Sequence, residues 1–448
     1  MGIHVVHPDE LSIQSLDLVS CFVQNGIQVY VQTPFLGGIN NSGQALARLF
    51  TLLRQAGAQI YYIFAPCSPI HGTKAYWSSI DQAVEAYQFL RRTVSDRCLP
   101  KLCTATPLGK IEWHTSGWAV EKDANDDAYS WIRTPYTLSY FRQFIRESGQ
   151  IPDFRVNSEG TLDARFQLDM GRSALYTGSG RRPPEKQEIL MPLPVTAEAV
   201  FFSLYQRSAL RPSVLPVPHA GISRVHQTCL EIQPEKGAGW FDYLGTAPEI
   251  SDVIIHWDGD DPALAMDQIS QVVQTLHRFS HVVCVRLKSN ALACCPDRFT
   301  PAIIQAISLW QDVSLADPFR IEMEAWFLLP DQISSDHCTA VKAFLNKGVN
   351  VYANVPLICG MNDRPETIAQ LAYELRKAKV EFHHLYVGGL DIQHRYGSRP
   401  DTDRIIDIAG RVRQKCSGRQ IPLYMVQTPD GDIDFGLDLS YLPFSPYR

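Results

Sequence analysis

Short runs rich in β-branched and aromatic residues alternate with longer stretches in which apolar residues recur at helical spacing. Near the start, IHVVH (3–7), VYVQTPF (29–35), IYYIFAP (60–66) and KLCTATP (101–107) read as strands. Between them, 11–24, 43–56 and 78–92 read as helices, with turns at Asn25-Gly26 and Ala56-Gly57. The later part repeats the alternation. VIIHW (253–257), HVVCVRL (281–287), FRIEMEAW (319–326), VNVYANVPL (349–357), VEFHHLYV (380–387) and LYMVQTP (423–429) read as strands. Helices over 262–278, after Thr300, and over 365–378 and 402–415 separate them. This pattern predicts an α/β protein of parallel β/α units, a barrel or partial barrel. Sites in such folds sit at the C-terminal ends of strands. Those ends carry His7, Thr33, Pro66, Cys67 and the turn TPLGK (106–110) in the first stretch. Asp258, Asp260 and Asp261 hold such a place in the second.

The two stretches are copies in register. Pro8 and Pro330 are 322 residues apart (330 − 8 = 322). Gly26 and Gly348, Tyr30 and Tyr352, Pro34 and Pro356, Gly38 and Gly360, Asn40 and Asn362, and Pro107 and Pro429 share that offset. TPLGKIEW (106–113) returns as TPDGDIDF (428–435), with Asp432 in the place of Lys110.

Residues 119–210 break the alternation. TPYTLSYFRQFIRESG reads as a helix closed by Gly149, and DFRVNSEGTLDARFQLD as a β-hairpin with a Ser-Glu-Gly turn. RRPPEKQEILMPLPVTAEAV reads as a Pro-rich connector. The expected organisation is a first unit over 1–118, an insert of helix, hairpin and linker over 119–210, and a second unit over 211–448. Both units are expected to be partial (β/α) barrels, the first incomplete with four strands. Its open apolar edge needs completing, by another chain, by a missing upstream segment or by pairing with the second unit.

Composition narrows the partners. Of 448 residues, 45% are hydrophobic, enough for packed cores, and 41 basic against 47 acidic residues give a net charge of −6. The basic stretch RRPPEKQ is short, so nucleic acid and anionic membranes are disfavoured. No apolar stretch approaches a membrane span and no signal-peptide pattern opens the chain. The 11 cysteines are scattered and odd in number, which points to a reducing cytoplasm. Cys284, in an apolar run, reads as a buried structural thiol. No Cys-x-x-Cys occurs, and neither Cys98 with Cys103 nor Cys294 with Cys295 has zinc-site spacing.

IHVVHPDEL, GIQVYVQTPFLGGIN, AGAQIYYIFAP and TPLGKIEW, in that order, resemble the C-terminal half of the lysine 2,3-aminomutase family. These are radical S-adenosylmethionine enzymes that also use pyridoxal phosphate. VIIHWDGDDPALAMDQISQVVQTLHRFSHVVCVRL and CCPDRFTPAII resemble the family's middle. The resemblance covers roughly 1–117 and 250–436 and implies a radical-SAM-like partial TIM barrel. It implies that Lys110 holds pyridoxal phosphate and that His4 and Gln32 lie near the nucleoside cofactor. Ser68 falls where the family's aspartate reads the substrate's distal amine. The second unit has Trp326, Asn354 and Asp432 at the places of His4, Gln32 and Lys110. The family's Cys-x-x-x-Cys-x-x-Cys loop is absent, so a [4Fe–4S] cluster is not expected to be bound by this chain alone.

The resemblance implies part of an aminomutase-like isomerase acting on an amino acid or related small molecule, its cluster loop supplied from outside the chain. The alternative is a catalytically inactive pseudoenzyme, a binding or scaffold subunit. Lys110 keeps two readings. A free lysine, with a pKa near 10.4, is a poor nucleophile unless burial or charge shifts it, and a solvated turn lysine is the commoner use. On inward faces, His4 and Gln32 read more plainly as satisfied core groups. Asp261-Pro262 reads as an acidic start to the next helix. His383, His384 and His394 read as surface or strand-edge histidines without a metal-like partner set.

Overall fold

The computed structural model describes residues 1–65, 74–114, 120–143, 153–157, 160–168, 200, 210–257, 261–312, 317–396 and 402–436. In the first unit β1 (Gly2–His4), β2 (Tyr30–Pro34), β3 (Gln59–Phe64) and β4 (Lys101–Thr106) pair in parallel in that order. A fifth strand, β5 (Gly109–Glu112), returns antiparallel to β4. Helices Ile13–Gln24, Gly43–Gln55 and Ile80–Thr93 connect the parallel strands. Ser12, Ser42 and Ser79 start them, each hydroxyl accepting a first-turn N–H. Their apolar faces form one core with Val31, Ile63 and Leu102.

The insert is a four-stranded antiparallel sheet. Its strands are β6 (Val120–Lys122), β7 (Ser130–Arg133), β8 (Phe154–Val156) and β9 (Leu162–Phe166), in the order β6-β7-β9-β8. The expected hairpin is β8–β9, and the described part of the expected helix is Leu138–Arg142. The strands β6 and β7, of three and four residues, are too short to show a period in sequence. The Pro-rich connector lies outside the described residues, apart from Val200.

The second unit is a nine-stranded sheet in chain order. It comprises β10 (Ile222–His226), β11 (Cys229–Ile232), β12 (Asp252–Ile255), β13 (Cys284–Lys288), β14 (Arg320–Trp326), β15 (Asn350–Pro356), β16 (Glu381–Gly388), β17 (Leu423–Thr428) and β18 (Gly431–Asp434). From β11 to β17 all neighbours are parallel, and β10 and β18 flank them antiparallel. A Cβ on Gly431 of β18 would stand 2.5 Å from Val214, whose N–H donates to Arg224 of β10 at 2.8 Å. The two outer edges thus approach each other and the barrel is nearly closed.

The strands β1 to β5 correspond to β14 to β18 at the offset found in the sequence. Buried Asn40 shows how deep the likeness goes. Its Oδ1 accepts from Leu36 N at 2.7 Å, and its Nδ2 donates to the carbonyls of Val6 and Pro34, both at 2.8 Å. Asn362 makes the same three bonds to Ile358 (2.7 Å), Leu328 (3.1 Å) and Pro356 (2.9 Å). Each asparagine thus ties three backbone groups that would otherwise be orphaned in the core.

The copies meet at the N-terminal ends of their strands, and the contacts come in exchanged pairs. Tyr30 bonds Glu381, and its counterpart Tyr352 bonds Gln59 at 2.9 Å. The Arg419 guanidinium lies 3.7 Å over the ring of Tyr30, and that of Arg97 lies 3.2 Å over Tyr352. Gly26 sits against Leu345 and Asn346, and Gly348 against Val23 and Gln24. Such reciprocity is the geometry of a two-fold dimer, built here within one chain. The C-terminal strand ends therefore point away from each other. Pairing with the second unit does not fill the first unit's open edge. Among the described residues β1 has no strand on its outer side, where the second unit has β13 beside β14. No helix of the described residues is long and apolar enough to cross a membrane.

Candidate functional site

Register brings the first unit's candidates together. His4 pairs with Gln32 across β1 and β2, and Gln32 with Tyr62 across β2 and β3. Lys110 pairs with Ala105 and extends its Nζ to 3.7 Å from the Tyr62 ring centre and 4.9 Å from that of Phe64. The three residues thus share one face of one sheet. His4 is exposed and Gln32 half-buried, so neither is the satisfied core group that the plainer sequence reading expected. Ser68 lies outside the described residues.

The turn that carries Lys110 is fixed by its neighbours. Thr106 donates its hydroxyl to the Gly109 carbonyl at 2.6 Å, and Gly109 takes a φ of 123°, open only to glycine at low cost. Tyr136 Oη (2.9 Å) and Arg413 Nη2 (2.6 Å) both donate to the Lys110 carbonyl. The side chain is half-buried, and that burial lowers the ammonium pKa. Arg413 pushes the same way, while Cys103 and Glu112 oppose it. Among the described residues no carboxylate lies within ion-pair distance of Nζ and no acceptor bonds it. Lys110 is therefore not a freely solvated turn lysine. It is a partly desolvated amine over aromatic rings.

The same places in the second unit are filled. Trp326 packs on Tyr386, with ring centres 5.4 Å apart, and Asn354 donates to Glu324 at 2.8 Å. Asp432 accepts from Tyr386 Oη at 2.8 Å and from Arg211 Nη1 at 3.2 Å. Its Tyr386 stands where the first unit has Phe64, so the partner changed together with the lysine.

The lower interior of the second barrel is a charged network that takes residues from the first unit. Arg54, at the end of helix Gly43–Gln55, forks onto Glu322 (2.8 and 3.0 Å) and reaches Asp252 at 2.9 Å. Asp96, in the turn before β4, is gripped by Arg286 at 2.8 and 3.2 Å. Arg211 bonds Glu231 at 2.6 Å. Burial alone would raise the Glu322 carboxyl; Arg54 instead holds it down at about 2. Sequence reasoning passed over these residues. Arg54 stands out in sequence only as one of two arginines, with Arg48, in the largely apolar run LARLFTLLRQ.

Two expectations are corrected. The helix after β12 begins at Met266, so Asp261 does not cap it. Asp261 is buried instead and accepts from Ala263 N at 3.1 Å and Ala291 N at 2.7 Å, with its pKa pushed up to about 6 by burial. His384 is buried and His383 half-buried, in place of the expected surface or strand-edge pair, while His394 is exposed. They have a carboxylate neighbour too, Asp96.

A [4Fe–4S] cluster does not fit the described residues. Burial pushes the thiols of Cys98, Cys103, Cys229 and Cys284 up, the reverse of what thiolate ligands need, and no three described cysteines converge. Pyridoxal phosphate fits at one end only. Lys110 offers the amine, but neither described cavity is lined by it.

No family model matches the sequence. The chain is 25% identical over 191 residues to an L-lysine 2,3-aminomutase of Clostridium subterminale, covering 42% of this chain and 43% of that protein. It is 26% identical over 193 residues to a glutamate 2,3-aminomutase of Clostridioides difficile, covering 42% and 43%. A radical SAM methyltransferase from Sphaerobacter thermophilus superposes over 40% of this chain and 50% of its own at 16% identity; its TM-score, 0.27, is too low to argue from. The chain spans under half the length of the curated relatives it matches, and over that part it is homologous to the lysine and glutamate 2,3-aminomutases.

Proposed function

We propose that residues 1–118 are the C-terminal half of the catalytic barrel of a radical S-adenosylmethionine, pyridoxal-phosphate-dependent aminomutase-like isomerase. Lys110 is the amine that holds pyridoxal phosphate, His4 and Gln32 face the nucleoside cofactor, and Ser68 lies in the substrate-binding segment. The two cofactors supply the radical chemistry when bound. The substrate is an amino acid or a related small molecule. The second unit, 211–448, is a degenerate copy, with residues 119–210 as the insert between them. One observation carries this reading. The first unit keeps a half-buried amine without an acid partner, while the second fills the same positions with Trp326, Asn354 and Asp432, the last two bonded to Glu324 and Arg211.

The cluster loop then comes from a protein partner or a segment outside this chain, docked on the open edge of β1. Exposed apolar residues support that. Met1 (44% exposed), next to β1, and Leu18 (57%) and Ile27 (42%), in the helix and turn that follow it, are exposed, while their counterparts Met323, Ala340 and Val349 are buried. In the second unit β13 pairs with β14, and residues 296–308 pack on helix Ser335–Leu345. Among the described residues the first unit has no strand and helix of that kind beside β1.

The test is chemical. The full chain, alone and with co-expressed partner, is mixed with pyridoxal phosphate and reduced with borohydride, and the modified peptide is located by mass. Modification confined to Lys110 and lost in Lys110→Ala is expected. Absence of any Lys110 adduct under both conditions leaves the second reading, a scaffold subunit. That reading is favoured by the missing three-cysteine loop and by the charge-filled interior of the second unit.

A further inference from the structure

An unsatisfied polar cluster lies where the two units meet. In β16, Phe382 pairs with Ala353 but His384 with Asn354, so the strand bulges at His383. A bulge sets two successive residues against one. The imidazoles of His383 and His384 consequently lie together, ring centres 3.6 Å apart. The first unit bulges at the same place, and Tyr61 and Tyr62 have ring centres 3.8 Å apart. There the pair is satisfied, Tyr61 Oη donating to Tyr62 Oη at 2.9 Å and Tyr62 Oη to Glu112 at 2.5 Å. The histidine pair is not. Nε2 of His383 and both ring nitrogens of His384 are buried without a hydrogen-bond partner, and His384 is 2% exposed. An imidazole must place a donor and an acceptor, or two donors, and orphaning them in the interior is costly.

Asp96 faces this pair from the first unit, its Oδ2 3.7 Å from His383 Nε2. One donor atom from each of Asp96, His383 and His384 lies within 4.8 Å of the others. Three guanidinium groups border the cluster. Arg286 bonds Asp96 at 2.8 and 3.2 Å and Glu324 at 3.0 Å, Arg211 bonds Glu231 and Asp432 and lies 3.8 Å from Asp96 Oδ2, and Arg97 lies over Tyr352, 3.8 Å from Glu324. A cavity of 70 Å³, lined among others by Tyr30, Arg97, Tyr352 and His383, opens on the cluster. It has room for a water as a further ligand.

We propose that Asp96, His383 and His384 bind one divalent transition-metal ion of the zinc or cobalt class, as a staple between the two units. Two imidazoles and a carboxylate are a set such ions take, at about 2.0–2.2 Å each, with a fourth position left for water. Bonding at that length asks the donors to close by about an ångström. Arg286 bonds both oxygens of the carboxylate, at 2.8 and 3.2 Å, and would orient it as outer groups do in metal sites, with the second lone pair of Oδ2 left for the ion. The place, among the N-terminal strand ends and away from the open face of the first unit, suits a structural role. The proposal does not depend on the aminomutase-like reading.

The test uses the full chain stripped of metal. It is titrated with Co²⁺, followed by visible absorption, and with Zn²⁺, followed by calorimetry and melting. One equivalent, a Co²⁺ band displaced by Zn²⁺, and a rise in melting midpoint of roughly 5 °C at a hundredfold excess over Kd are expected. The variant His383→Tyr/His384→Tyr, which copies the first unit's pair, is expected to lose both band and shift. If it fails to melt cooperatively, His383→Gln, at the less buried ligand, is expected to weaken binding at least tenfold. No saturable binding, or binding of unchanged affinity in these variants, overturns the proposal.

Discussion

The inner faces of the two units began from one pattern and diverged in opposite directions. The first keeps Lys110 over Tyr62 and Phe64, with His4 exposed beside Gln32. The second fills the same row with Trp326, Asn354 and Asp432, each bonded or packed to a neighbour. The turn itself is the same in both. Thr106 and Thr428 each donate to the glycine carbonyl three residues on, at 2.6 Å, and Gly109 and Gly431 both take positive φ. The frame therefore does not demand lysine. What differs is the side-chain environment, satisfied in one copy and left open in the other.

The largest effect that can break this comparison is at the seam. Arg54 and Arg376 are counterparts, yet Arg54 is 6% exposed between Glu322 and Asp252, while Arg376 is 34% exposed beside Glu381. Arg54→Met leaves buried Asp252 without its arginine and Glu322 with Arg286 at 3.6 Å, and is expected to cost about 3–5 kcal/mol. Arg376→Met is expected to cost under about 1 kcal/mol. Denaturant midpoints for the two variants measure the difference, and equal losses would remove the asymmetry argued for the seam. The pH dependence has a definite sign. Glu322 has its folded pKa lowered to about 2, so its contribution is complete above its unfolded value near 4.5. It is lost as pH falls from there towards 2, and Arg54→Met should flatten that slope.

The fold was legible because its signal is local and periodic. Strand and helix spacing gave the element order, and the 322-residue offset, as between Asn40 and Asn362, carried through to individual hydrogen bonds. The seam was not legible. Arg54, Asp96 and Arg286 are far apart in sequence, and only the reciprocal packing of two copies brings them together. The histidine pair was misread for a different reason. Alternation places successive strand residues on opposite faces, and the bulge at His383 cancels that rule. Lys110 was legible as a position, but its rings come from β3 and its backbone is held by Tyr136 and Arg413, from the insert and the second unit.

A smaller effect sharpens the pair that the repeat poses. Asp432→Asn keeps the shape but weakens two bonds, from Tyr386 and Arg211, in a buried place. It is expected to cost about 1–3 kcal/mol. Lys110→Met removes an ammonium without a hydrogen-bonded partner among the described residues and keeps its apolar stem over Tyr62. Its stability is expected within about 1 kcal/mol of the parent, because a half-buried unpaired charge gives up little when it is lost. A loss as large as that of Asp432→Asn, by thermal or denaturant melting, would mean that Lys110 is structural.

The smallest effect lies where a left-handed glycine of one copy is matched by a residue with a Cβ in the other. Gly57 ends helix Gly43–Gln55 with φ at 87°. Its counterpart is Lys379, which among the described residues is the non-glycine residue with positive φ, at 63°, just past helix Pro365–Lys377. The left-handed conformation costs a residue with a Cβ roughly 1–2 kcal/mol, and glycine gives back about half of that through its freer unfolded chain. Lys379→Gly is therefore expected to stabilise by about 0.5–1 kcal/mol. The reverse change is not its equal. A Cβ at Gly57 would meet the guanidinium of Arg320, which bonds Gln55 O at 2.8 Å across the seam. Gly57→Ala thus adds displacement of Arg320 to the strain and is expected to lose more than Lys379→Gly gains. Melting midpoints moving by equal and opposite amounts would mean that strain alone separates the two turns, and that Arg320 yields freely.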